Sequence, residues 1–219
     1  MSIEIRHLHI EYPNHVLFED VNLTATDDEL IAIETNVLDG GTSLLKGIGG
    51  LLRGLGGEVI FDDVNILDNP PEAVLAKIGF VYEEAGLISL YTVFQNICLP
   101  LQFHSNFSDA EMAAAVRETC ALLGIQESLL GMRPHALNDV QTRLVNLARA
   151  LVMQPRLLLI DELEGGMSDE LLQATMATLR QRQHESPMTI IITTASDLVM
   201  SFADRVYRIE NCGITEHDR

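Results

Sequence analysis

Residues 31 to 45 read Ile-Ala-Ile-Glu-Thr-Asn-Val-Leu-Asp-Gly-Gly-Thr-Ser-Leu-Leu. This is the layout of a phosphate-binding loop that lacks its lysine. The usual pattern is Gly, four residues, then Gly-Lys-Ser/Thr, set between a buried strand and a helix. Here Thr35 holds the first glycine position, Gly40 the second and Gly41 the lysine position, and Thr42 and Ser43 hold the hydroxyl positions. The lysine is the one formal positive charge such a loop offers to the β- and γ-phosphates. In its place Asp39 puts a carboxylate inside the loop. Unit charges about 4 Å apart interact by roughly 4 kcal/mol at an effective dielectric near 20. Losing the cation and gaining an anion therefore costs several kcal/mol, at about tenfold in affinity per 1.4 kcal/mol. Expected cofactor occupancy is accordingly none, or Mg-ATP held weakly.

The elements around the loop suit it. Ile3, Ile5, Leu8 and Ile10 alternate as a half-buried strand does. Leu30 to Ile33 is a short apolar run leading into the loop, and Leu44, Leu45, Ile48, Leu51 and Leu52 follow at helical spacing. Glu58–Phe61 and Ile78–Tyr82 read as further strands. From about 84 to 153 the pattern is helical, with a Ser108-x-x-Glu111 capping box opening a helix through Leu123 and a second helix over 138–153. Leu157–Ile160 is continuously apolar, as in a strand buried on both faces of a parallel sheet. A helix over 168–184 and strands at Thr189–Thr193 and Asp204–Ile209 complete the chain. Strands alternating with helices predict an α/β fold with a mostly parallel sheet. The expected layout is one domain, 1–219, with 1–83 and 154–219 as core lobe and 84–153 as an inserted helical lobe.

The 219-residue chain carries 14 basic and 32 acidic side chains, a formal net charge of −18, and its only lysines are Lys46 and Lys77. Such a chain repels nucleic acid and anionic lipid, both of which require clustered cations. Three cysteines without a CxxC pair suit reduced thiols packed as small hydrophobes. No signal-peptide layout and no apolar run of about 18 residues is present. The expected location is cytoplasmic, with membrane contact only through a partner.

Motifs along nearly the whole chain resemble those of the ATPase subunits of ABC transporters, in their order and spacing. Tyr12 lies where such subunits carry the aromatic that stacks on adenine. Leu157-Leu158-Leu159-Ile160-Asp161-Glu162 is similar to their Walker B strand, with Asp161 for magnesium and Glu162 for polarising the attacking water. Leu137-Asn138-Asp139-Val140-Gln141 sits where Leu-Ser-Gly-Gly-Gln belongs, followed by Leu147-Ala148-Arg149-Ala150-Leu151, and Ala203-Asp204-Arg205 matches the segment before the last strand. The resemblance implies a P-loop NTPase-like sheet with an antiparallel N-terminal part and a helical lobe.

The departures from the family pattern fall on the chemistry. Phosphoryl transfer depends almost wholly on positioning and charge neutralisation. Glu83 takes the glutamine position, Ser196 the switch-histidine position, and Asp139 and Val140 replace signature glycines. Glu162 becomes vestigial on this reading, and Thr42, Glu83 and Asp161 bind a metal only if magnesium is retained. The plainer readings are that Tyr12 packs on its neighbours, that Thr42 and Ser43 cap a helix with Asp39 or Thr42 accepting from exposed backbone N–H groups, and that Glu83 is a solvated loop residue. In the family each composite site joins the loop of one chain to the signature of another, and both halves are impaired here.

In the family the segment after the glutamine loop forms the groove for a coupling helix of the membrane subunit. Here Leu87, Ile88, Tyr91, Val93 and Phe94 are the expected partner contacts, and as apolar residues they equally suit the core of the helical lobe. The phrases Ala-Gly-Leu-Ile, Thr-Val-Phe-Gln-Asn-Ile and Leu-Pro-Leu within 85–101 are similar to ATPases of Mce/Mla-type phospholipid transporters. The leading expectation is a non-hydrolysing pseudo-ATPase subunit that assembles with a permease, a second ATPase subunit or another copy of itself, in lipid transport. One alternative is an active or slow ATPase that recruits a cation such as Lys46. Another is a free-standing interaction protein.

Overall fold

The computed structural model describes residues 3–36, 38–83 and 86–217. Two sheets are present. Strands β1 (Ile3–Tyr12), β2 (His15–Ala25), β4 (Gly56–Phe61) and β5 (Val64–Asn65) form an antiparallel sheet in the order β2-β1-β4-β5. Strands β3 (Leu30–Glu34), β6 (Ile78–Val81), β7 (Leu157–Asp161), β8 (Thr189–Thr194), β9 (Arg205–Glu210) and β10 (Gly213–His217) form the second, ordered β10-β9-β3-β8-β7-β6. It is parallel except for the β9–β10 hairpin. The α/β class expected from the alternation is the one observed.

The apolar set of β1 changes parity, from Ile3 and Ile5 to Leu8 and Ile10, yet all four are buried. A one-residue register shift between Ile5 and Leu8 reconciles them, with His7 at φ 52° in the bulge. Without that shift half of the set would turn to solvent.

Alternate residues of the parallel strands feed two apolar cores. Ile31, Ile33, Leu157, Leu159 and Ile191 face the antiparallel sheet and helix α1 (Gly41–Ile48). Leu30, Ala32, Leu158, Ile160 and Ile192 face a core shared with helices α3 (Val93–His104), α4 (Asp109–Leu122) and α5 (Asp139–Leu151). The helical segment thus buries its apolar face in continuity with the sheet. A short helix α2 (Glu72–Leu75) precedes β6, and α6 (Asp169–Glu185) and α7 (Asp197–Phe202) flank β8.

Several elements differ from expectation. Helix α1 stops at Ile48, and Leu51 and Leu52 lie outside it, because Gly49 caps it and Gly50 at φ 67° turns the chain away. Strand β2 was not anticipated: its buried positions Phe18, Val21, Leu23 and Ala25 are interleaved with Glu19, Asp20 and Asn22, residues of low strand propensity. Strand β10 is likewise unmarked in the sequence: it is short and Thr215, Glu216 and His217 are exposed on both of its faces, so no apolar alternation signals it.

Candidate functional site

The parallel register sets the ends of β3, β8 and β7 side by side, Ile33 opposite Thr193 and Thr193 opposite Asp161. The carboxyl ends of such strands are where open α/β sheets place their sites. The loop 35–40 leaves β3 here and enters α1, and Thr35 N–H continues the ladder by donating to Thr194 O at 2.9 Å. Gly40 is the N-cap of α1 at φ 93°, and a Cβ on it would lie 2.8 Å from Leu17 Cδ2. Glycine is required there on both counts.

The N-cap residue Gly40 offers no side chain, and neither Thr42 nor Ser43 is the cap the sequence suggested; the first helical N–H, that of Gly41, is met by Asp39. Thr42 Oγ1 instead donates to Asp161 Oδ1 at 3.2 Å, and Ser43 Oγ lies 3.2 Å from the Tyr12 hydroxyl. The Asp39 carboxylate accepts from the Asn36 N–H through Oδ2 and from the Gly41 N–H through Oδ1 at 3.2 Å. Two backbone donors of the loop therefore already face an anion that belongs to the chain. A Cβ on Gly41 would meet Thr35 Cγ2 at 2.5 Å. The two exchanges are thus coupled: with Thr35 at the first glycine position, the lysine position has room only for glycine.

A cavity of 570 Å³ opens over the loop. It is lined by loop residues 35, 36 and 38–42, by Glu83, Glu162 and Ala195. Its charged lining residues are Asp39, Glu83 and Glu162, with no lysine or arginine among them. Lys46 stands in the last turn of α1, outside this lining. Leu38 is 95% exposed at φ 70°, an apolar side chain held out on the loop.

Burial pushes the Glu162 carboxyl above its ordinary range, reinforced by the charges of Glu83 and Glu164, while a hydrogen bond from Thr35 Oγ1 at 3.3 Å works the other way. Glu164 is itself spent on structure: its Oε1 accepts from Thr194 Oγ1 at 2.6 Å and Ala195 N–H at 2.9 Å. Asp161, only 2% exposed, accepts from Thr193 Oγ1 at 2.9 Å as well as from Thr42.

The residue types fit a triphosphate poorly. Phosphate seats pair backbone N–H groups with cations, and here the N–H groups face Asp39 while the cavity lining adds two further carboxylates, Glu83 and Glu162, and no lysine or arginine. The Thr42–Asp161 corner keeps the residue types a magnesium ion uses, but no group of three or more His, Cys, Asp or Glu suited to a metal exists among the described residues.

The remaining sequence-derived positions are engaged in folding. Asn138 is the N-cap of α5: its side chain accepts from Gln141 N–H at 2.8 Å, and Gln141 Oε1 accepts from Asn138 N–H at 3.0 Å. Asp139 opens the first turn, and Val140 is half-buried against the core. Ser196 caps α7, accepting from Val199 N–H at 3.4 Å. Of the expected partner contacts, Val93 is fully buried and is corrected to a core residue; Leu87 and Phe94 are half-buried against the same core. Ile88 and Tyr91 remain exposed. Two buried asparagines escaped the sequence reading. Asn96 accepts from Ile88 N–H at 2.7 Å and donates to the carbonyls of Ile88, Tyr91 and Thr92, holding that loop in shape. Asn146 accepts from Arg149 at 3.2 Å. A lone asparagine inside an apolar helical pattern was the available signal for each.

Residues 18–164 match the family model described as ABC transporter. The chain is 32% identical over 216 residues to the sulfate/thiosulfate import ATP-binding protein CysA of Caulobacter vibrioides, covering 96% of this chain and 62% of that one. It is 30% identical over 210 residues to the CysA of Xanthomonas campestris pv. campestris, covering 94% of this chain and 60% of that one. It thus spans about six-tenths of the length of those relatives. The fold matches a solved dimeric, post-hydrolysis structure of the ATP-binding cassette MJ0796 bound to ADP and Pi, with TM-score 0.91, 23% identity, and coverage of 99% and 98% of the two chains. MJ0796 is an uncharacterised ABC transporter ATP-binding protein of Methanocaldococcus jannaschii. This chain belongs to the ABC transporter ATP-binding cassette family. Among the described residues no helix is long and apolar enough to cross a membrane.

Proposed function

We propose that this chain is an accessory ATP-binding-cassette subunit whose own phosphate loop neither holds nor hydrolyses ATP, and which acts by assembling with a membrane permease, a second ATPase subunit, or both. The observation that supports this most directly is the pairing of Asp39 with the loop N–H groups beneath a cavity whose charged lining is all carboxylate. An incoming triphosphate must displace one anion from the donors and then sit beside it. Repulsion of roughly 4 kcal/mol per close charge pair takes ordinary nucleotide affinity out of its useful range. Hydrolysis loses more, because the absent cation and donors act chiefly on transition-state charge.

The rival reading of an active enzyme using Lys46 is opposed by the place of that residue at the far end of α1. Location follows from assembly: cytoplasmic, on the inner face of the membrane through the permease. Cargo follows the permease too. The lipid reading rests on the 85–101 phrase, whereas the named CysA relatives carry sulfate or thiosulfate in their names.

Calorimetric titration of the purified chain with Mg-ATP, paired with a phosphate-release assay, tests the proposal. No saturable binding in the micromolar range and no turnover is the expected result. Micromolar binding with turnover that Glu162→Gln abolishes overturns it. Purification in mild detergent from the native host is expected to bring down a multi-span membrane protein, whose identity decides the cargo.

A further inference from the structure

The cavity over the loop suits phosphate poorly, yet at 570 Å³ it lies within the usual range of ligand pockets, about 300–1,000 Å³. Its carboxylates differ in what they already hold. Asp39 is met by two backbone N–H groups, whereas Glu162 holds a single hydroxyl, that of Thr35 at 3.3 Å. Glu83 lies near enough to Glu162 to oppose its ionisation. No lysine, arginine or histidine is among the described residues that line the cavity, and Val37, Glu84 and Ala85, their neighbours in sequence, bring none. Like charges gathered in a partly buried site are unfavourable until a cation enters.

The mouth of the cavity carries a second, independent feature. Leu38 is the most exposed of the large apolar side chains described, at 95%, and its φ of 70° lies in the left-handed region that leucine disfavours. It lines the cavity together with the carboxylates. A single exposed leucine is ordinary, but this one stands where an apolar stem must pass to reach the acids. Lysine and arginine have that composition: an aliphatic stem that packs on apolar surface and a charged head that reaches beyond it. Apolar cover that excludes water also strengthens the charge pair it surrounds.

We propose that this cavity receives a lysine or arginine side chain of a partner protein, its stem lying over Leu38 and its head meeting Glu83 and Glu162. This deepens the accessory-subunit reading and rests on it, since a cavity filled by Mg-ATP has no room for such a side chain. A metal ion is the less suitable occupant, because no group of three or more His, Cys, Asp or Glu suited to one exists among the described residues. A second copy of this chain is disfavoured by the repulsion of two bodies of net charge −18, a field that instead attracts a basic partner.

The test uses the intact chain as bait for a displayed library of random peptides. The expected winners carry Lys or Arg fixed at one position beside apolar residues. A winning peptide is then synthesised with that residue and with norleucine, which keeps an aliphatic stem and removes the charge. At physiological salt the wild type is expected to prefer the charged form about tenfold, and the double variant Glu83→Gln with Glu162→Gln to lose the preference. Leu38→Ser, at a site too exposed to threaten folding, is expected to weaken both forms. Glu118→Gln with Glu170→Gln removes the same number of charges from exposed acids on α4 and α6, outside the cavity, and is expected to leave the preference intact. Absence of enrichment, winners without a cation, a preference that survives in the cavity variant or falls equally in the surface variant, or binding unaffected by Leu38→Ser each overturns the inference. Displacement of the peptide by an equal concentration of spermidine also overturns it, by assigning the cavity to a free polyamine. Mg-ATP turnover by the chain would sink the accessory reading itself, whereas failed capture without turnover sinks this inference alone.

Discussion

Three residues decide what the phosphate loop can do. Thr35, Asp39 and Gly41 form one linked solution: the threonine methyl fills the space a lysine Cβ needs, and the carboxylate meets the N–H groups that a phosphate otherwise takes. Restoring the lysine alone therefore fails. Gly41→Lys is expected to cost about 1–3 kcal/mol of stability through overpacking against Thr35, read by urea unfolding, without gaining Mg-ATP binding. Thr35→Gly combined with Asp39→Gly and Gly41→Lys relieves the clash and reverses the local charge. Calorimetry on that triple variant is expected to find Mg-ATP affinity at least about a hundredfold above wild type. Glu162 offers a pH test. Its carboxyl is raised, so the folded chain binds that proton more tightly than the unfolded chain does, and stability falls as pH rises through this range. Glu162→Gln is expected to raise the melting temperature at neutral pH, with the gain fading as pH drops towards the ordinary carboxylate value of about 4.3. Calorimetric melts at both pH values check the sign.

At the scale of elements, the positions the sequence marks as nucleotide contacts hold helices in place. Asn138 and Gln141 close a capping box on α5, and Asn138→Ala is expected to cost about 1 kcal/mol. Asn96 ties the loop 88–92 to α3 through four hydrogen bonds to backbone. Asn96→Ala strands those groups in the interior at about 1–3 kcal/mol, and hydrogen exchange at residues 88–92 is expected to speed up while that of β7 does not. The helix starts at Ser108 and Asn138 were legible because a cap is a local pattern of side chain and backbone. The roles of Asn96 and Asn146 were not, because the first depends on how the irregular loop 88–92 folds back on α3 and the second on the direction taken by the Arg149 side chain one turn along the same helix. The same holds for Val93: its spacing allowed either a docking face or a core face, and the helix orientation chose the core.

Over the whole molecule the dominant physical fact is the charge. A body of net charge −18 is destabilised by its own repulsion, and salt screens that repulsion within about 10 Å at 0.1 M. The melting temperature is therefore expected to rise as sodium chloride is added from low concentration, by more than for a near-neutral protein of similar size. The alternation of strand and helix, the buried-both-faces runs and the order of motifs were enough to give the fold class, since each reflects a local periodicity imposed by burial. The phosphate-loop layout and its missing cation were equally plain. What needed the tertiary structure was the relation between distant residues. The sequence showed that Asp39 was present, but only the folded loop aims its carboxylate at the Asn36 and Gly41 N–H groups; the sequence showed Glu83 and Glu162, but only packing sets them around one cavity with Asp39. Residue types and periodicities are properties of neighbouring positions along the chain, whereas the direction of a side chain and the charge it faces are set by segments that meet only after the two cores have closed.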